Sequence, residues 1–146
     1  MIEDVTGNLL EAEAEALVNT VNCVGAMGKG IALQFKQAYP EMAREYERAC
    51  QRGEIQPGRV QVWGTGAFHG PKYIINVPTK REWFRRSSYK DIESGLAALV
   101  EAIRARGITS VAVPPLGCGL GGLQWSKVRP MIVSSFSKSG TLFFCI

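Results

Sequence analysis

The sequence predicts a three-layer α/β/α sandwich around a mixed, mostly parallel sheet of about six strands, and three observations lead there. Short apolar, β-branched runs read as strands buried on both faces. Amphipathic helical patterns alternate with them along the chain, the order that places helices on both sides of a sheet. Two glycine-rich loops each run from a strand into a helix.

In order, the first strand covers residues 2–6 and ends at Gly7-Asn8, and the second is the run Ala16-Leu17-Val18-Asn19-Thr20-Val21. Residues 23–30 are the first glycine-rich loop. Ile31-Ala32-Leu33-Gln34-Phe35 then opens a helical pattern that Pro40 punctuates, and a second helix over 41–52 stops at Gly53. Val60 and Val62 alternate with polar residues, and Tyr73-Ile74-Ile75-Asn76-Val77 follows across a loop holding Gly64, Gly66 and Gly70, which fits an antiparallel hairpin. Ile92, Leu96, Leu99, Val100 and Ile103 share one helical face, and Gly107 ends that helix. Val111-Ala112-Val113 is a buried strand stopped by Pro114-Pro115. The second loop, Gly117-Cys118-Gly119-Leu120-Gly121-Gly122, leads into a helix with Ser126 as its expected N-cap, and residues 141–146 form the last strand.

At 146 residues the chain is read as a single domain spanning 1–146. Its 46% hydrophobic and 21% charged residues and a mean hydropathy of 0.00 are those of an ordinary folded protein. No apolar run is long enough for a membrane span, and the acidic start Met1-Ile2-Glu3-Asp4 is unlike a secretory leader, so a cytoplasmic protein without a membrane partner is expected. Cys23, Cys50, Cys118 and Cys145 are scattered and His69 is the one histidine. This argues against a metal site, a disulfide framework and histidine-dependent nucleophilic catalysis, and His69 and Cys118 are read as structural. No cofactor is called for.

Charge is concentrated in residues 80–90. Lys80, Arg81, Arg85, Arg86 and Lys90 stand against Glu82, which equals the whole net charge of +4. Trp83, Phe84 and Tyr89 are interleaved with these bases, a mixture that suits either a single-stranded nucleic acid or a solvated basic loop over packed aromatics.

The two glycine-rich loops fall beyond the carboxyl ends of their strands, where open α/β sheets bind ligands, and are expected to line one pocket. Glycine lets the backbone approach a ligand closely, and free N–H groups at the following helix starts attract anions, so the expected guest is a phosphate or diphosphate. Gly25-Ala26-Met27-Gly28-Lys29-Gly30 is not a P-loop, because Cys23 and Gly30 occupy positions that need Gly and Ser or Thr. Gly117, Gly119 and Gly122 satisfy G-x-G-x-x-G, yet no Asp or Glu follows Glu101 to hold a dinucleotide ribose. A nicotinamide dehydrogenase is disfavoured.

The order Gly7-Asn8-Leu9, Val18-Asn19-Thr20-Val21-Asn22, Met27-Gly28-Lys29-Gly30-Ile31 and Pro115-Leu116-Gly117-Cys118-Gly119-Leu120-Gly121-Gly122-Leu123-Gln124-Trp125 resembles the ADP-ribose-binding macrodomains. Within them it resembles the DarG-type DNA ADP-ribosyl glycohydrolase antitoxins and the related terminal ADP-ribose protein glycohydrolases. The resemblance covers nearly the whole chain. It implies that Asn8 and the Leu9 amide hold adenine, that Asn22 meets the distal ribose and takes part in catalysis, and that Gly28, Lys29, Gly30 and Ile31 form the first ribose and phosphate loop. It further implies that Gly117, Cys118, Gly119, Leu120 and Gly121 wrap the diphosphate.

Lys80, emerging after Val77-Pro78-Thr79 at the end of a predicted strand, matches the catalytic lysine of this subclass. Partial desolvation beside Arg81, Arg85 and Arg86 is expected to favour its neutral, nucleophilic form. The resemblance has Lys80 engage C1″ of the distal ribose as the bond to the acceptor breaks. By the same resemblance, Gly121 stands where the related terminal ADP-ribose protein glycohydrolase has an aspartate that assists turnover, and is expected to clear space beside the anomeric carbon for a bulky nucleobase. The implied function is removal of ADP-ribose from thymidine in single-stranded DNA, reversing a DNA ADP-ribosyltransferase toxin, with Arg81, Trp83, Arg85 and Arg86 guiding the strand. Contact with that toxin is expected to need a region that this sequence lacks. The alternatives are a non-catalytic ADP-ribose reader and a hydrolase of protein-linked or acetylated ADP-ribose.

Overall fold

A computed structural model describes residues 2–137 and 140–146. Met1, Lys138 and Ser139 lie outside the described residues, so the acidic start and the serine-rich stretch 133–140 are described in part. The element order is β1 (Ile2–Asp4), a single 3-10 turn (Leu9–Glu11), β2 (Ala16–Val21), α1 (Gly30–Ala38), α2 (Pro40–Gln51), β3 (Gln61–Gly64), β4 (Tyr73–Pro78), α3 (Tyr89–Arg106), β5 (Ser110–Val113), α4 (Trp125–Phe136) and β6 (Leu142–Cys145). The six strands form one sheet in the order β1-β6-β5-β2-β4-β3. Every pairing is parallel except β3 with β4, where Val62 faces Ile75 and Trp63 faces Ile74 in an antiparallel hairpin.

Alternation along the strands distributes side chains to two cores. Leu17, Val21, Ile74 and Ala112 pack with Phe35, Met42 and Tyr46 of α1 and α2. Ala16, Val18, Ile75, Val77, Val111 and Val113 pack with α3 and α4 through Leu96, Leu99, Val128, Ile132 and Phe136. These are the three layers the sequence predicts. Helix α3 ends at Gly107, φ +62°, as its sequence suggests, and the structure adds an N-cap at Ser88, which accepts from the Asp91 N–H.

One expectation fails. Ser126 is not an N-cap: α4 begins at Trp125, with Gln124 in the extended cap position and no side-chain capping bond. The second loop is closed by its own backbone turns, so the helix starts earlier than a capping hydroxyl would place it. Among the described residues no helix is long and apolar enough to cross a membrane, and no group of three His, Cys, Asp or Glu is placed to hold a metal ion.

Candidate functional site

The parallel strands β2, β4 and β5 end side by side, and the loops that follow them enclose a cleft of about 580 Å³. From the first loop it is lined by Asn22, Ala26, Gly28, Lys29, Gly30 and Ile31. Pro114, Pro115, Gly117, Gly119, Leu120 and Gly121 line it from the second, and Thr79, Lys80 and Trp83 from the segment after β4. The two glycine-rich loops therefore meet at one pocket, as the sequence led us to expect.

Asn22 builds the first loop. It is buried, and its Oδ1 accepts from the backbone N–H groups of Val24, Gly25 and Ala26 at 3.1, 3.1 and 3.2 Å. Its Nδ2 donates to the Ala26 carbonyl at 2.8 Å. The Tyr46 hydroxyl, from the buried face of α2, stands 2.7 Å from the Asn22 carbonyl and 2.9 Å from Oδ1. The Asn22 side-chain oxygen Oδ1 is thus saturated by protein donors, and among the described residues the second Nδ2 hydrogen of Asn22 is left without a partner. Burial raises the Tyr46 hydroxyl well above its ordinary pKa, so it remains a proton donor to Asn22.

The second loop is a series of tight turns. Cys118 N–H donates to the Pro115 carbonyl at 3.0 Å, Gly122 N–H to Gly119 at 3.2 Å and Leu123 N–H to Gly117 at 2.9 Å. Gly117 has φ +74°, a left-handed conformation that costs glycine nothing. Gly121 is enclosed rather than open: a Cβ there would lie 2.4 Å from both the Gly117 carbonyl oxygen and Ser87 Oγ. This overturns the expectation that Gly121 clears room for a nucleobase. Its missing side chain lets the loop fold on itself, and only its backbone faces the cleft. Gly28 and Gly119 are the open positions, with nothing within 4 Å of an added Cβ.

Residues 79–88 bridge the loops. Thr79 N–H donates to Val21, the Arg81 carbonyl accepts from Cys23 N–H at 3.1 Å, and Ser87 N–H donates to Gly121 at 3.0 Å. Lys80 Nζ is 3.5 Å from the Trp83 carbonyl. Its pKa is lowered, first by partial burial and then by the like charge of Lys29 across the cleft. The arginines named from the sequence are not the cause. Arg81 pairs with Asp91 at 3.4 Å and Arg85 with Glu82 at 2.9 Å, while Arg86 packs on Gly122, whose Cβ would sit 2.8 Å from its guanidinium.

Several expected residues lie off the cleft lining. Asn8 Oδ1 accepts from Leu10 N–H at 3.0 Å, and Leu9 is buried. Cys118 Sγ donates to the Leu116 carbonyl at 3.5 Å, and burial raises its thiol pKa. His69 is exposed in the β3–β4 loop. Trp83 and Phe84 are 59% and 61% exposed and meet edge to face at 5.4 Å, with the Arg85 guanidinium 6.0 Å from the Phe84 ring. Sequence reasoning missed Tyr46, which the apolar face of α2 disguises as core, and Ser87, whose hydroxyl is buried with no partner among the described residues.

The Macro domain family model matches residues 18–132, which include both loops and the segment joining them. The chain belongs to the macrodomain family. This macrodomain is 56% identical over 138 residues to a protein of Mycobacterium tuberculosis named DNA ADP-ribosyl glycohydrolase, covering 94% of the chain and 39% of that relative. It is 37% identical over 149 residues to a Thermosipho africanus protein named DNA ADP-ribosyl transferase-DNA ADP-ribosyl glycohydrolase fusion protein, covering 92% of the chain and 38% of the relative. The solved macrodomain of Mycobacterium tuberculosis DarG superposes with a TM-score of 0.97 at 52% identity, covering 99% of this chain and 97% of that one. The macrodomain spans about two fifths of the length of the curated relatives it matches.

Proposed function

We propose that this macrodomain is a hydrolase that removes ADP-ribose from a thymidine base in single-stranded DNA, opposing a DNA ADP-ribosyltransferase toxin. The observation that carries the reading is Lys80: a partly buried amine of lowered pKa lining a cleft whose other walls are two glycine-rich loops. The names and the 56% identity of the relatives support the substrate. The fusion relative, which joins a transferase to a glycohydrolase in one protein, supports the toxin as partner.

In this reading Gly28, Lys29, Gly30 and Ile31 hold ribose and phosphate, the second loop wraps the diphosphate through its backbone, and Asn22 offers Nδ2 to the distal ribose. Asn8 and the Leu9 amide hold adenine. The neutral Lys80 amine adds to C1″ as the bond from C1″ to the base breaks, the base nitrogen leaving with the bonding pair and gaining a proton. Water later displaces the lysine. Trp83 stacks on the strand at the cleft mouth, and Arg81, Arg85 and Arg86 attract its phosphates. The test compares the native protein with Lys80→Ala on ADP-ribosylated single-stranded DNA and on ADP-ribosylated protein. The native protein releases ADP-ribose from DNA, whereas Lys80→Ala binds free ADP-ribose and releases none. Binding by both without release makes the protein a reader, and release from the protein substrate alone moves it to the other hydrolase class.

A further inference from the structure

We infer that the strand leaves the cleft over Arg86 and the Tyr89–Lys127 pair, a phosphate track at the first turns of α3 and α4. This extends the function proposed above and rests on it. Charge bookkeeping in the folded chain points away from two of the arginines that the sequence singles out. Arg81 and Arg85 are each held by a carboxylate, so their pull on a polyanion is partly cancelled. Among the described residues, Arg86 and Lys127 have no carboxylate within ion-pair distance, and both are exposed. No acidic residue follows Glu101, and Arg129, the next cation in α4, is tied to Asp4.

These two free cations are connected to the cleft by a short piece of chain. Gly121 lines the cleft, Arg86 lies on Gly122, and the Gln124 N–H donates to the Tyr89 hydroxyl at 3.1 Å. From Gly121 to Gln124 is at most about 11 Å, three Cα steps. The Lys127 ammonium then stands 5.6 Å from the centre of the Tyr89 ring. At that distance the ring attracts the ammonium and holds a flexible side chain in place, so less rotamer freedom is lost when it meets a phosphate. Aromatic residues interleaved with cations, Trp83, Phe84 and Tyr89, favour a single-stranded nucleic acid over an acidic peptide, because successive bases can stack where a peptide carboxylate cannot.

Binding of an unmodified oligothymidylate of about 12 nucleotides tests the track apart from catalysis, by fluorescence anisotropy over a salt series. Lys127→Ala should weaken binding roughly 5-fold at low salt and flatten the slope of log affinity against log salt by about 0.7, the loss of one phosphate contact to a single strand. Lys127→Glu should weaken it further. Lys72→Glu, the same charge change at the start of β4 and about 20 Å of strand from the cleft, should alter neither quantity. Unchanged affinity and slope in Lys127→Ala, an equal loss in Lys72→Glu, or equally tight binding of polyglutamate overturns the track. The two readings fail separately. A native protein that binds oligothymidylate through Lys127 but releases no ADP-ribose sinks the proposed activity alone. Release from long DNA that is indifferent to Lys127→Ala, together with unchanged binding, sinks the track alone.

Discussion

Adding a single methyl group at Gly121 tests whether the second loop has the enclosed geometry described above. The Cβ of Gly121→Ala would stand 2.4 Å from the Gly117 oxygen, 2.4 Å from Ser87 Oγ and 2.8 Å from the Gly117 carbonyl carbon. Side-chain carbons essentially never approach closer than 3.0 Å, so the turn at 117 must separate from residue 121 by about 0.6 Å. It has little room to retreat, because Leu123, Ile92 and Ser87 already crowd the Cβ direction of Gly117 at 2.9–3.1 Å. Gly121 has no positive φ, so the penalty is steric rather than torsional. Overpacking of this kind costs about 1–3 kcal/mol, or roughly 3–10 °C in Tm for a chain of this size. In the proposed complex a loop moved by that much also loses at least one charge-assisted bond to the diphosphate, about 1.5 kcal/mol, which is roughly tenfold in Kd. Thermal melting and calorimetric titration with ADP-ribose read both effects. Gly119→Ala, whose Cβ meets nothing within 4 Å, should change Kd less than about twofold. Adding Ser87→Ala to Gly121→Ala removes one of the two 2.4 Å contacts, leaves the backbone oxygen and restores part of the loss. Native affinity and Tm in Gly121→Ala, or equal damage from Gly119→Ala, would refute the geometry.

Two further predictions concern the first loop and the amine. Tyr46→Phe removes the hydroxyl that supports Asn22 and should cost about 1 kcal/mol, a few degrees in Tm, together with weaker ADP-ribose binding; a melting curve identical to the native one contradicts the assigned role. Lys29→Gln removes a positive neighbour that lowers the Lys80 pKa, so that pKa should rise. The ascending limb of the kcat profile, along which Lys80 loses its proton, then moves to higher pH and the rate at neutral pH falls; the shift is only part of the whole displacement of this pKa, because burial is the larger cause. A profile that stays in place, or moves to lower pH, argues against the neutral amine as nucleophile.

The sheet was legible because its strands are short, β-branched and separated by clear glycine and proline stops, as in Ala16–Val21 and Ser110–Val113. The meeting of the two loops was legible from topology alone, since both follow parallel strands. What stayed hidden depends on long-range contacts that leave no local pattern. Tyr46 lies 24 residues from the Asn22 it supports and occupies a helix position that any core aromatic would fill. Gly121 reads as open space in a string of glycines, and only the folded loop shows Ser87 beneath it, brought from 34 positions earlier. The arginine run overstates the local positive charge, because Asp91, in the first turn of α3, pairs with Arg81.

The backbone of residues 79–88 ties the two loops of the cleft to one another. It is fastened to the first loop where Arg81 accepts from Cys23, and to the second where Ser87 donates to Gly121. Lys80 adjoins the first of these fastenings, with its amine 3.5 Å from the Trp83 carbonyl within the same segment. Both glycine-rich loops and the Lys80 amine consequently share one frame, set by backbone bonds of the folded chain. In the proposed reaction such preorganisation lowers the ordering cost of binding and holds the Lys80 amine in a fixed position relative to both loops. It also makes the loops interdependent. A displacement at Gly121 pulls on Ser87 and through it on Lys80, so the alanine variant should lose turnover as well as affinity. A change at the open Gly119 position has no such route to the amine.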